Sequence, residues 1–160
     1  MRQLSLWAMI GFISLTPLLN LSAEQTIVTW DMLSSMNYET GTMPPNLKKL
    51  NHQPIQASGF IVPLEMDEYA DEVKEFLLVP DPLACIHVPP PPPNQIIHVV
   101  MNEKIPVNMD YRGVEIKGIL SFSKSEDGIH GFEMVGQFAK EANIEYEDPL
   151  MEIINIDLDE

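Results

Sequence analysis

Apolar and polar residues alternate with a period of two through much of the chain beyond residue 50, and this predicts strands. Val114-Glu115-Ile116-Lys117-Gly118-Ile119-Leu120-Ser121-Phe122 carries the clearest alternation. Ile55 to Leu64 reads as another strand. Ile55, Ala57 and Gly59 share one face, and then Phe60, Val62 and Leu64 alternate. Gly59 is therefore expected at a bulge or bend where the in-facing set changes sides, and Pro63 is expected to end the strand at an edge. Phe76 to Val79 reads as a buried strand stopped by Pro80 and Pro82. Ile96 to Met101 reads as a strand followed by a turn at Asn102-Glu103-Lys104, and Val107 to Asp110 is short and polar. Asp127-Gly128 suits the tip of a hairpin-type connection. Phe132, Met134 and Val135 continue into a further strand that ends at Phe138-Ala139.

Helical signals are few and short. Thr26 to Trp30 leads into Asp31 to Met36, which is expected to form a short helix, with Trp30 sealing an end of the core. Asn37 to Pro45 is a loop punctuated by Gly41, Pro44 and Pro45, and Leu47 to Leu50 gives one apolar turn. Glu65 to Lys74 reads as an acidic loop or one-turn helix whose spacing fits no EF-hand. Lys140 to Pro149 reads as a polar linker. Five or six strands with glycine bends and short helices predict a mainly β fold: a small antiparallel OB-like barrel or curved sheet, with an open sandwich as the alternative.

The N-terminal pattern changes what counts as the folded part. Arg2 precedes an apolar stretch from Leu4 to Leu19, and Leu21-Ser22-Ala23 offers a small-residue cleavage site. Residues 1–23 therefore read as a signal peptide, with a retained anchor helix as the alternative, and the mature chain starts at Glu24. No Cys follows the apolar run, so no lipoprotein site is expected. The mature chain carries no further apolar stretch long enough to span a bilayer. Residues 24–148 are expected to form a single β domain. Residues 149–160 form an acidic tail, or an edge strand that puts Ile154, Ile156 and Leu158 on one face. Together these imply periplasmic localisation.

Charge narrows the partners. The 160-residue chain has a formal net charge of −15. This argues against nucleic acid, whose phosphates need Lys and Arg, and against anionic membrane surfaces. It suits a partner with a basic surface, or cations.

One stretch carries the candidate chemistry. Ala84-Cys85-Ile86-His87-Val88 is followed by five consecutive prolines, Pro89, Pro90, Pro91, Pro92 and Pro93, and then by Asn94-Gln95. Proline donates no N–H and fixes φ, so the run reads as a stiff polyproline II arm spanning about 15 Å between two short strands. Its bare face suits docking into a partner, while the amides of Asn94 and Gln95 either cap open backbone groups or specify that partner. The alternative is a rigid crossover over one end of the fold. Cys85, the only cysteine, has no internal disulfide partner. It is a packed thiol, a metal ligand or a reactive thiol. Cys85 and His87 at i and i+2 share a strand face, about 6.5–7 Å apart at Cα, and form a possible zinc half-site with His98 as the third candidate. If the two flanks paired symmetrically about Pro92, His98 would fall on the opposite face. His52 and His130 could approach only through the fold. A Cys-His thiol enzyme or redox-active protein is the alternative reading, although no oxyanion hole or orienting group can be assigned. No Gly-rich phosphate loop, Gly-x-Ser-x-Gly, His-Glu-x-x-His or Cys-x-x-Cys pattern is present.

Gly59-Phe60-Ile61-Val62-Pro63-Leu64, Glu75-Phe76-Leu77-Leu78-Val79-Pro80 and the run from Cys85 to Gln95 together resemble a bacterial exported family, domain of unknown function thirty-two ninety-nine. The resemblance covers roughly Trp30 to Phe138. It departs at Asp81-Pro82-Leu83, where the family pattern has an aromatic residue and a glycine. What the resemblance implies is a signal peptide or lipid anchor and an accessory, non-enzymatic binding role in the periplasm. It also implies a gene context beside ABC-type transport components, sometimes within zinc-responsive sets. A transport-system component is therefore the expected protein partner, and zinc the expected metal.

Overall fold

In the computed structural model the described residues are 25–64, 71–82, 90–106, 113–142 and 144. The expectations for residues 1–23, for Ala84 to Val88 and Pro89, for Val107 to Asp110 and for the tail beyond 148 lie outside them.

Among the described residues, six strands and two short helices follow in the order β1 (Thr26–Val28), α1 (Trp30–Ser34), α2 (Pro45–Lys48), β2 (Gln53–Pro63), β3 (Glu72–Val79), β4 (Ile97–Pro106), β5 (Val114–Lys124) and β6 (His130–Glu141). A 3-10 turn over Pro93–Gln95 precedes β4. The six strands form one curved sheet in the order β1-β2-β3-β4-β6-β5, and β5 pairs back onto β2. Five strands thus pair in a closed circuit, with β1 added outside β2. The mainly β fold with a small curved sheet and short helices is what the alternation predicts. The sheet is mixed rather than wholly antiparallel, because β1 runs parallel to β2 and β4 runs parallel to β6. The second parallel pair arises because the β5–β6 hairpin intervenes: β6 folds back along β5 and so reaches β4 running in the same sense.

Strand parity builds the core. Ile55, Ala57 and Ile61 of β2, Phe76 and Leu78 of β3, Ile97, Val99 and Met101 of β4, Ile116 and Leu120 of β5, and Phe132 and Met134 of β6 all join one buried cluster. Leu33 and Met36 from the α1 segment and Leu47 and Leu50 from the α2 segment join it. Thr29 caps α1, its side chain accepting from the Met32 N–H. Burial of this apolar surface is the main favourable contribution to folding.

Several boundaries differ from the sequence reading. Asn102-Glu103-Lys104 is strand, not turn: β4 carries through it to Pro106, and Ile105 returns to the core opposite Val73. Its polar residues are simply the exposed part of a long strand. Glu72 to Lys74 likewise opens β3, with an irregularity between Val73 and Glu75 absorbing the register change. β6 runs on to Glu141, past the expected start of a linker. Gly59 does not switch the in-facing set, since Ile55, Ala57 and Ile61 keep one parity and all reach the core. It sits instead where β2 passes from β5 (Gly59 opposite Val114) to β3 (Phe60 opposite Val79). The β5–β6 connection turns at Gly128, with φ +85°.

Candidate functional site

The described part of the proline arm, Pro90 to Pro93, runs into the 3-10 turn before β4. Pro92 has φ −63° and ψ 154°, the polyproline II conformation its ring favours. Pro93 departs from that conformation and starts the turn, in which the Gln95 N–H donates to the Pro92 carbonyl at 2.8 Å. Pro90 and Pro92 are exposed, while Pro91 and Pro93 are half-buried. The arm therefore leans on the protein by alternate rings and presents the others.

Asn94 moors it. Its side-chain Nδ2 donates to the carbonyls of Ser34 at 2.9 Å and Met36 at 2.8 Å. These carbonyls lie at the C-terminal end of α1, where helical C=O groups lack intrahelical partners. Only 9% of Asn94 is exposed, and its Oδ1 is buried without a hydrogen-bond partner. Of the two expectations for this amide, capping open backbone groups describes what it does here, although the carbonyls belong to α1 rather than to the resuming ladder. Gln95 stays half-buried beside it.

Two hollows flank the mooring. One, of about 430 Å³, is lined by Ser34, Ser35, Met36, Tyr38, Glu39 and Asn94. The other is an open groove of about 250 Å³ between Pro93 and the β5–β6 hairpin, lined by Ser123, Lys124, Ile129, His130 and Glu133 among others. The loop after α1 is tied to the same hairpin, because the His130 N–H donates to the Tyr38 carbonyl at 2.7 Å. The His130 ring also packs against Gly41, whose φ is +71°. The arm's foot is thus held between the α1 loop and the β5–β6 hairpin.

The candidate metal ligands divide. Cys85 and His87 lie outside the described residues, as does Pro89. His98 is on the outer face of β4, since its neighbours Ile97 and Val99 point into the core. Its Nε2 is 2.8 Å from Oε1 of Glu75. Symmetric pairing of the two flanks about Pro92 does not hold for β4. Ile97 already has Leu78 of β3 on one side and Phe132 of β6 on the other, so it has no free edge to offer. Among the described residues no three His, Cys, Asp or Glu side chains gather to hold a metal. Among them, too, no helix is long and apolar enough to cross a membrane.

The model of the family described as protein of unknown function, DUF3299, matches residues 22–141. The chain belongs to the DUF3299 family. A crystal structure of a DUF3299 family protein from Pseudomonas aeruginosa PAO1 is similar to it at 33% identity and a TM-score of 0.51, over 72% of this chain and 75% of that one. The OBody NL8 bound to hen egg-white lysozyme aligns at 13% identity over 59% of this chain and all of that one, with a TM-score of 0.32, too slight to bear on fold or function. Among the curated proteins, none matches. Every element of the closed circuit, from β2 to β6, falls inside the DUF3299 match. So does the proline run.

Proposed function

We propose that this DUF3299 protein is a periplasmic, non-enzymatic accessory protein that docks on a partner through its proline arm. The observation that carries the reading is the combination of presentation and mooring. Pro90 and Pro92 face solvent, and Asn94 fixes the arm's foot to α1 through two hydrogen bonds. A polyproline edge held in this way loses little further entropy on binding. Pro89 to Pro93 supply the contact surface, Gln95 stands at its foot, and Asn94 acts by holding it in place. The leader pattern of residues 1–23 supports export, and the acidic chain suits a basic protein surface rather than nucleic acid. The ABC-type transport component is the partner that the family resemblance suggests.

Zinc handling belongs to the same proposal. The Cys85 thiolate and His87 imidazole are its donors, with His98 as the third candidate. Glu75 occupies Nε2 of His98, which leaves Nδ1 as its ligating nitrogen. A carboxylate on the other ring nitrogen is a common support for a metal-binding His.

The test replaces Pro90, Pro91 and Pro92 together by Ala, Gly and Ala. The expected result is a protein that folds, melts within a few degrees of the parent and no longer co-purifies with the proposed transport-component partner. A variant that unfolds, or that folds and retains this partner, shows the arm to be a structural connector and overturns the proposal.

A further inference from the structure

The outer face of the sheet carries apolar side chains that the fold leaves uncovered. Strand register places Ile119 of β5 opposite Val135 of β6, and Val135 beside Val100 of β4. Three residues further along β6, Phe138 lies opposite Lys117. Val100, Val135 and Phe138 are 38%, 50% and 52% exposed. Val100 and Val135 turn outward because their neighbours Val99, Met101 and Met134 are buried in the core, and the irregularity between Lys117 and Gly118, which leaves Gln137 of β6 without a partner on β5, brings Phe138 round to the same outer face. Single exposed apolar residues are ordinary, whereas a contiguous set spanning three strands marks an interaction surface.

Charge around the set restricts what can cover it. Lys117 stands over the Phe138 ring, 6.0 Å from its centroid, and Lys140 pairs with Glu115 at 3.0 Å. Both lysines of this part of the face are therefore engaged. Glu133, two residues before Val135 on the same face, makes no ion pair among the described residues, and Glu75 opposite Val100 meets only His98. A second copy would bring another net −15 against these carboxylates, and the chain's own tail would bring Glu152, Asp157, Asp159 and Glu160. Both are repelled. A cationic rim around apolar side chains is what complements this surface.

We propose that the outer face of β4, β6 and β5, centred on Val135, docks an amphipathic segment of another protein whose apolar side chains are flanked by Lys or Arg. Glu133 also lines the groove beneath Pro93, so this face continues from the foot of the arm. The proposal nevertheless stands on the register and charge of the sheet, independently of what the arm binds.

The experiment uses the full mature chain and a fluorescent synthetic peptide of Leu and Lys with one apolar face, with a Leu and Glu peptide of the same pattern as control. Binding is read by fluorescence anisotropy for the parent and for Val135→Ser with Phe138→Ser, which removes apolar surface and leaves the charge unchanged. The expected result is saturable binding of the Lys peptide alone, weakened at least about tenfold in the double variant, with thermal melts confirming its fold. Equal affinity in parent and variant would reduce the binding to generic attraction by an acidic protein and overturn the proposal. Two further outcomes overturn it. One is a parent dimer in sedimentation that the double variant dissolves, which makes a second copy the occupant. The other is markedly tighter peptide binding after deletion of residues 149–160, which makes the tail the occupant.

Discussion

The side-chain amide of Asn94 donates to the main-chain carbonyl of Met36 at 2.8 Å, across a sequence separation of 58 residues. With the second bond to the Ser34 carbonyl, both amide hydrogens are spent on the end of α1. A single side chain thus sets where the proline arm meets the body of the protein. Its Oδ1 gains nothing in return, being buried and unpartnered.

Replacing Asn94 tests this mooring. Asn94→Ala removes two hydrogen bonds worth about 0.5–1.5 kcal/mol each but also relieves the buried Oδ1, so a net loss of about 1–2 kcal/mol is expected. In a domain of this size that lowers the melting temperature by roughly 2–8 °C. Asn94→Asp places an acceptor against two carbonyls and should be less stable than the Ala variant at neutral pH. Denaturant or thermal melts check the order Asn, Ala, Asp. An Asp variant as stable as the parent would mean that the two bonds do not hold the arm.

Trp30 ties the first helix to the sheet. Its Nε1–H donates to the Ser58 carbonyl at 2.8 Å, where β2 is about to leave β5 for β3. Trp30→Phe keeps an aromatic ring but strands that carbonyl, and a loss of about 1–3 kcal/mol is expected. Urea unfolding gives the measurement. The transition midpoint should fall with the slope unchanged, because the folded surface is otherwise preserved.

Gly59 is required at that handover for a different reason. A Cβ placed on it would stand 2.5 Å from the Val79 carbonyl oxygen and 2.9 Å from Cζ2 of Trp30. The tryptophan can shift, but the backbone carbonyl of a paired strand cannot do so cheaply. Gly59→Ala should therefore cost about 1–3 kcal/mol. Combining it with Trp30→Phe should recover little of that loss. Full rescue in the double variant would show that the ring, and not the strand, sets the limit.

What was legible in the sequence follows from period and parity. Val114 to Phe122 announces β5 because its inward and outward residues alternate without interruption, and the short apolar stretch around Leu33 announces α1. The exposed residues of β4 were harder to read. Asn102, Glu103 and Lys104 look like a turn, and only the pairing of Ile105 with Val73 shows the strand continuing through them. Gly59 was legible as a special position but not as a handover between partners, since its neighbours on β5 and β3 are distant in sequence. Of the site, the stiffness of the arm could be read from proline chemistry alone. The partnership of Asn94 with Ser34 and Met36 could not, because backbone carbonyls carry no sequence signature. The apolar face around Val135 was hidden for a similar reason: a valine in an alternating strand declares its side only once the register is known.

The metal proposal makes the last prediction. Cys85 and His87, two residues apart, offer a thiolate and an imidazole to Zn²⁺, and His98 retains Nδ1 while Glu75 occupies its Nε2. Calorimetry on the purified mature chain should register Zn²⁺ uptake that Cys85→Ser and His87→Ala each weaken, by about tenfold or more. Thiolate and neutral imidazole are the ligand forms, so protons compete with the metal and affinity should fall as the pH is lowered. Glu75→Gln adds a finer readout. If His98 is the third ligand, loss of the carboxylate that steadies its ring should weaken uptake by a further 10- to 100-fold, roughly. If His98 is not a ligand, Glu75→Gln leaves uptake unchanged while Cys85→Ser still weakens it. Zn²⁺ uptake that is absent from the parent, or identical in the Cys85 and His87 variants, would remove metal handling from the proposed function and leave docking alone.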